Sequence, residues 1–197
     1  MLLIGQPKSA STSLAVTIGK ITGLNVVLGI PRKPGFKKSN QFTELFKYHN
    51  NVPIRNKLFL KQVVTGKRTL FKEHLLPIQA HFKELNKYKN ERIVILLREP
   101  EDSLDSYYRL FKNHHGEEKA KEMIDKLSPD IFSWHERWMY WKSVHKNVMI
   151  VEYRDLVLNY QTTIKKILKH YRFKVPKKIL PLQKLKYTGV GEKRLCS

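Results

Sequence analysis

The sequence predicts a single α/β domain with a mainly parallel central sheet flanked by helices. Three observations carry that prediction. Short apolar runs alternate with longer stretches of helical periodicity, the pattern left by strand–helix–strand units. The run Arg92-Ile-Val-Ile-Leu-Leu97 is apolar without alternation, as expected of a strand covered on both faces. The chain has 197 residues, 41% of them hydrophobic, enough for one core of ordinary domain size. The domain is drawn over residues 1–197, because no repeat or low-complexity linker divides it.

Taken in order, residues 2–4 read as a short buried strand, followed by a loop and a helix over 12–22. Residues 25–28 form a second strand. The stretch 31–40 reads as a basic loop rich in Pro, Lys and Gly, and 41–49 as a helix. A strand over 68–72 precedes a helix over 77–88. After the 92–97 strand, Pro100 suits the first turn of a helix running through Phe111, since that position has no amide to satisfy. Residues 116–126 read as a short exposed helix. Ser128-Pro129-Asp130 then reads as a fresh start, giving a separate helix to about residue 145. Residues 148–152 make a buried strand and 161–171 a helix. The spacing of Trp134, Trp138 and Trp141 places them on one helical face turned to the core or to an acceptor pocket.

Thirty-eight Lys and Arg against 17 Asp and Glu leave a formal charge of +21. That balance favours anionic partners, although a solvated lysine surface accounts for much of it. The single cysteine, Cys196, excludes a disulfide framework and a cysteine zinc cluster. No run approaches the roughly 18–20 apolar residues of a membrane span, and the start lacks the longer apolar run of a signal peptide. A cytoplasmic, soluble protein is expected, unless an anchor precedes this sequence.

Four segments carry chemistry. Gly5-Gln6-Pro7-Lys8-Ser9-Ala10-Ser11-Thr12 lies between the first strand and first helix, where backbone amides and a helix N-terminus cradle anions. Lys8 adds a charge, and Ser9, Ser11 and Thr12 add hydroxyls. A Walker A loop would end Gly-Lys-Ser/Thr, and this one does not. Phe71-Lys72-Glu73-His74-Leu75-Leu76-Pro77 sets a histidine at a strand end. Its reference pKa near 6.5 suits a proton acceptor, and the neighbouring Lys72 with partial burial would favour the neutral ring. In Arg98-Glu-Pro-Glu-Asp-Ser-Leu-Asp-Ser106-Tyr-Tyr, an arginine ends a strand and Ser106 follows about two helical turns on. Near the end stand Lys186-Tyr187-Thr188-Gly189-Val190-Gly191-Glu192.

Together, and in this order, these segments resemble the sulfotransferase family. The first is similar to its Pro-Lys-Ser-Gly-Thr-Thr loop, with Ala10 and Ser13 departing from it. The second resembles its Lys-Thr-His-Leu-Pro segment, with Glu73 departing. The third resembles its Arg-Asn-Pro…Ser-Tyr-Tyr segment, and the fourth, loosely, its Arg-Lys-Gly-x-x-Gly-Asp loop. Val151-Glu152-Tyr153-Arg154-Asp155 resembles its Tyr-Glu-Asp strand end.

The resemblance implies a P-loop NTPase-like sulfotransferase fold. It also implies transfer of a sulfuryl group from 3′-phosphoadenosine 5′-phosphosulfate to an acceptor hydroxyl or amine, leaving adenosine 3′,5′-bisphosphate, without a metal. By the same resemblance His74 is the general base, with Glu73 its neighbouring rival. Lys8 and Lys72 stabilise developing charge, and Lys8, Ser9, Ala10, Ser11, Thr12 and Ser13 hold the 5′-phosphate. Arg98 and Ser106 hold the 3′-phosphate, Tyr153 approaches the adenine, and Lys186, Tyr187 and Thr188 close over the donor. The partners implied are the donor nucleotide and an acceptor, small molecule or carbohydrate, with no specific nucleic acid.

Two rival readings stand beside this one. A P-loop kinase or nucleotide hydrolase lacks its Gly-Lys-Ser/Thr ending here and a persuasive magnesium-holding aspartate. A basic nucleic-acid-binding module would use the charge and the aromatics Trp134, Trp138, Tyr140 and Trp141, without a recognisable motif.

Overall fold

The computed structural model describes residues 1–6, 8–28, 68–75 and 77–183, and the backbone of 185–188 and 192–195. The basic loop at 31–40 and the helix expected at 41–49 lie outside the described residues. Five strands form one parallel sheet: β1 (Leu2–Gly5), β2 (Asn25–Leu28), β3 (Thr69–Glu73), β4 (Ile93–Leu97) and β5 (Val148–Glu152). Their order is β2-β3-β1-β4-β5, so β1 lies at the centre. Its register sets Leu2 beside Phe71 on one side and Ile93 on the other. Every residue of β4 is buried, which explains why its sequence shows no alternation.

Helices cover both faces. Leu3, Leu70, Val94, Leu96 and Val151 pack against α1 (Ser11–Thr22) and α6 (Tyr160–His170), with Leu156 of the short α5 (Tyr153–Leu158) joining them. Leu2, Ile4, Phe71, Ile93, Ile95 and Leu97 face the opposite side. There α2 (Gln79–Leu85), a 3₁₀ turn at Asn86–Tyr88, α3 (Pro100–His115) and α4 (Glu117–Ser143) complete the core. This is the three-layer solution for a parallel sheet with two apolar faces. An antiparallel hairpin, β6 (Leu185–Thr188) with β7 (Glu192–Leu195), pairs Leu185 with Leu195.

Local chemistry fixes the element ends. Gly23, at φ 72°, closes α1 in the left-handed conformation that glycine adopts without a Cβ penalty. Pro100 opens α3, with Glu101 and Asp102 in the first turn and Lys112, His114 and His115 in the last. The acidic first turn and Lys112 complement the helix dipole at its two ends.

One expectation fails. Residues 117–143 form a single helix with Pro129 inside it, rather than two helices parted at Ser128. Proline removes the bond to the carbonyl four residues back, and here that carbonyl belongs to the exposed Asp125. Water can therefore satisfy it. Across the proline runs an unbroken buried stripe of Ala120, Leu127, Ile131, Trp134, Trp138 and Trp141, and this packing holds the helix together. Trp138 meets Phe82 edge-on at 5.3 Å, and Trp141 donates to Asn86 Oδ1 at 3.1 Å. The three tryptophans are thus core residues, leaving only Tyr140 of that aromatic group exposed. No helix among the described residues is long and apolar enough to cross a membrane.

Candidate active site

Strands β1 and β4 are neighbours, but the chain leaves them in opposite directions: from β1 toward β2, and from β4 toward β5. In parallel sheets such a reversal opens a crevice beyond the carboxyl ends of the strands. Of the residues singled out from the sequence, Lys8, Lys72, His74, Arg98 and Tyr153 stand there, joined by the contacts described below.

The loop after β1 is held in an unusual backbone path. Lys8 (φ 66°) and Ala10 (φ 59°) both adopt left-handed conformations, with Ser9 between them. For residues with a Cβ this costs roughly 1–2 kcal/mol each, so the surrounding contacts must enforce it. Ser9 does so by donating from its amide and its hydroxyl to the Gln6 carbonyl, at 3.2 and 2.5 Å. Ala10 is the N-cap of α1 and offers no side-chain cap, so the first-turn amides of α1 face the loop rather than a capping hydroxyl. Ser11 and Thr12 are buried in that turn, and the half-buried Ser13 accepts a bond from Thr17 at its carbonyl. The left-handed positions and the helix start together make a concave set of backbone donors.

Gln6 organises the crevice and went unnoticed in the sequence. It is fully buried. Its Oε1 accepts from the Arg98 amide and its Nε2 donates to Ser103 Oγ, both at 2.9 Å. Its own amide donates to Leu96 O at 2.9 Å. One side chain thus joins the ends of β1 and β4 to α3. The only hint in the sequence is a glutamine directly following an apolar strand, where a buried amide must find partners.

Arg98 leaves β4 and turns back over the loop. Its Nη1 donates to Lys8 O at 3.0 Å, and its guanidinium lies 4.6 Å from the centre of the Tyr153 ring. That cation–π contact ties the ends of β4 and β5 together. The Arg98 Nε is buried with no hydrogen-bond partner among the described residues. Ser106 is half-buried on α3, three residues beyond Ser103 and so near the same helix face. The Lys8 ammonium stands 5.7 Å from the centre of the Tyr107 ring. Burial pushes the Tyr107 hydroxyl far above its ordinary value, so the ring stays neutral beneath that cation.

At the end of β3, Lys72 is buried while His74 is exposed, contrary to the partial burial expected for the histidine. Two contacts fix its ring instead. His74 Nδ1 meets Gly5 O at 2.5 Å, and Nε2 meets Lys72 Nζ at 2.5 Å. A carbonyl can only accept and an ammonium can only donate. With Lys72 as an ammonium, Nδ1 donates to Gly5 O and Nε2 accepts from Lys72 Nζ. Glu73 accepts from the His74 amide at 2.7 Å, so its carboxylate orients the backbone beside the ring. The side chains of Lys186, Tyr187 and Thr188 lie outside the described residues, as does Pro7.

Comparison with known proteins now bears on the arrangement. The sulfotransferase domain family matches residues 1–184. The chain belongs to the sulfotransferase family. Among solved structures, mouse sulfotransferase SULT7A1 complexed with PAP is similar at TM-score 0.60 and 18% identity. That match covers 90% of this chain, which spans 59% of the mouse protein. A sulfotransferase from Alicyclobacillus acidocaldarius is similar at TM-score 0.62 and 14% identity, with 92% of this chain and 83% of that one covered. No curated protein sequence matches significantly. At these identities the likeness of the two solved structures concerns the fold: a sulfotransferase α/β domain built on the five-stranded parallel sheet.

Proposed function

We propose that this sulfotransferase takes 3′-phosphoadenosine 5′-phosphosulfate as donor and transfers its sulfuryl group to an acceptor hydroxyl or amine. The observation that carries the reading is the gathering of Lys8, Lys72, His74 and Arg98 at the carboxyl ends of three adjacent strands. A buried guanidinium nitrogen with no hydrogen-bond partner among the described residues, and backbone donors in a left-handed loop, fit an anionic nucleotide. The donor supplies the sulfuryl group and a phosphate leaving group when bound.

The remaining work falls to the chain. The loop from Lys8 to Ser13 holds the 5′-phosphate through its amides and hydroxyls, and Arg98 with Ser106 holds the 3′-phosphate. Tyr153, already under the Arg98 guanidinium, supports the adenine end, and Lys186, Tyr187 and Thr188 cover the donor. Lys8 and Lys72 stabilise negative charge where it develops, and their fixed positions avoid reorganisation at the moment of transfer. His74 Nε2 takes the acceptor proton. Lys72 now occupies that nitrogen, so turning the ammonium toward the anionic donor frees the lone pair, while the Gly5 carbonyl keeps Nδ1 protonated.

The test measures nucleotide affinity and turnover separately. Adenosine 3′,5′-bisphosphate should bind better than ADP, and Arg98→Ala should erase that preference. His74→Ala should lower turnover by about 10²–10⁴ with little change in nucleotide affinity. Equal affinities in the unaltered protein refute the donor assignment. Glu73→Gln abolishing turnover while His74→Ala stays active moves the base to the carboxylate. Transfer should continue in excess EDTA; a strict magnesium requirement favours phosphoryl chemistry.

A further inference from the structure

Beside the nucleotide crevice lies a cluster that the proposed reaction does not use. Glu99 follows Arg98 at the end of β4, Glu152 ends β5, and His135 stands on α4. One ligand atom from each lies within 4.8 Å of the others. The fold explains the meeting. Leu97 and Glu152 are register partners, which brings the two strand ends together. Glu152 shares its face of β5 with Val148 and Ile150, the face that packs against α4.

Two of the three ligand groups are left wanting. His135 Nε2 and Glu152 Oε2 are buried atoms with no hydrogen-bond partner among the described residues. Native structures rarely leave such atoms without a reason. Neither Glu99 nor Glu152 joins any described ion pair, and the nearby Arg98 is turned toward Lys8 and Tyr153. Burial raises the Glu152 carboxyl, His135 opposes the shift, and Glu99 and Asp155 add to it. In a chain of net charge +21, neither carboxylate is paired with a Lys or Arg among the described residues.

We propose that Glu99, His135 and Glu152 bind a divalent transition-metal ion of the zinc class. An imidazole nitrogen with two carboxylates is a donor set that suits zinc or manganese and ill suits magnesium. Ligands about 2.1 Å from a tetrahedral ion stand roughly 3.4 Å apart. The cluster must therefore close by at most about 1.4 Å, and the exposed Glu99 supplies the movable arm. Three protein ligands leave a fourth position open. The ion would pin α4 to the ends of β4 and β5, one residue from Arg98 and one from Tyr153, and so hold the guanidinium–ring pair in place. This site is independent of the sulfuryl-transfer reading and acts on structure, so it is compatible with turnover in EDTA.

The experiment titrates Zn²⁺ into chelator-stripped, nucleotide-free protein by calorimetry and follows the melting temperature in parallel. One equivalent should bind and raise the melting temperature, Mn²⁺ should bind more weakly, and Mg²⁺ should not bind. Glu152→Gln and His135→Gln should each weaken zinc binding more than about 10-fold. Glu99→Gln, at an exposed position that leaves the core untouched, should do the same while the metal-free melting temperature is unchanged. His114→Gln with His115→Gln should leave the affinity as it was. Zinc taken up with unchanged affinity by the Glu99 and Glu152 variants overturns the proposal, as does a failure of the unaltered protein to bind any.

Discussion

Gly5→Ala is the most direct probe of how the sheet is joined to the nucleotide loop. A Cβ built on Gly5 falls 2.2 Å from Ser11 Cβ and 2.3 Å from Ser11 Oγ. Ordinary contact begins near 3.4 Å, so the first residue of α1 must retreat by about 1.2 Å. Neither side can yield cheaply. Gly5 is held in β1, paired to Leu96 of β4, and its carbonyl meets the His74 ring. Ser11 is buried in the first turn of α1, beside the left-handed Ala10. Overpacking of this kind costs about 1–3 kcal/mol, equivalent to a fall of about 2–12 °C in melting temperature for a chain of this length. Calorimetry reads that fall, and adenosine 3′,5′-bisphosphate affinity should drop with it as the loop amides shift. The control is Ser11→Gly in the Gly5→Ala background, which removes both clashing atoms. It should restore most of the melting temperature and reveal a coupling of the two positions in a double-mutant cycle. Nucleotide affinity is not the readout for that rescue, because the Ser11 hydroxyl belongs to the proposed phosphate site. An unchanged melting temperature in Gly5→Ala, or additive effects in the cycle, refutes the close-approach argument.

Gln6→Leu keeps the bulk but strands the Arg98 amide and the Ser103 hydroxyl; it should cost about 1–3 kcal/mol, read as a lower urea midpoint, and weaken nucleotide binding by loosening Arg98. Pro129→Ala should stabilise the protein by about 1–3 kcal/mol, because an alanine amide can bond Asp125 O and proline is the poorest helix residue; an unchanged melting temperature means that the helix gains no bond there. The His170 imidazole is held below its ordinary 6.5, by burial first, with the Ile93 carbonyl opposing and the Arg92 charge assisting. Its contribution to stability is therefore complete above pH 6.5 and is lost as pH falls through the folded-state value. Melting curves between about pH 5 and 7.5 should show that loss, and His170→Gln should flatten it relative to the unaltered protein; an identical slope in the variant refutes the assignment.

The strands were legible because burial writes itself into composition. Five apolar residues in a row at 93–97 admit few readings, and the alternation of strands with helices led to the parallel sheet. The single helix across Pro129 was not legible. A local rule says that proline ends a helix, while the stripe that overrides it depends on tertiary packing of Trp134, Trp138 and Trp141. The short α5 went unforeseen because six residues carry too little periodicity to stand out. In the candidate site, Lys8, Lys72, His74 and Arg98 stood out because the segments that carry them resemble sulfotransferase motifs, in the family's order. Gln6 and Ser103 did not, since a lone glutamine and a lone serine carry no spacing; their pairing exists only once β1 and α3 meet. Glu99, His135 and Glu152 are scattered along the chain for the same reason, and strand register alone brings two of them together.

The central place of β1 also bears on how the chain acquires its shape. Leu2 must find Phe71 on one side and Ile93 on the other, both far downstream. During synthesis at about 5–20 residues per second, that wait lasts roughly 5–20 seconds. Until β3 and β4 have both followed, Leu2, Leu3 and Ile4 lack a sheet neighbour on at least one side. Closing loops of this size before any pairing reward arrives makes for slow folding. The segment that later shapes the anion cradle is thus made before either of its sheet neighbours and secured on both sides only when β3 and β4 have followed.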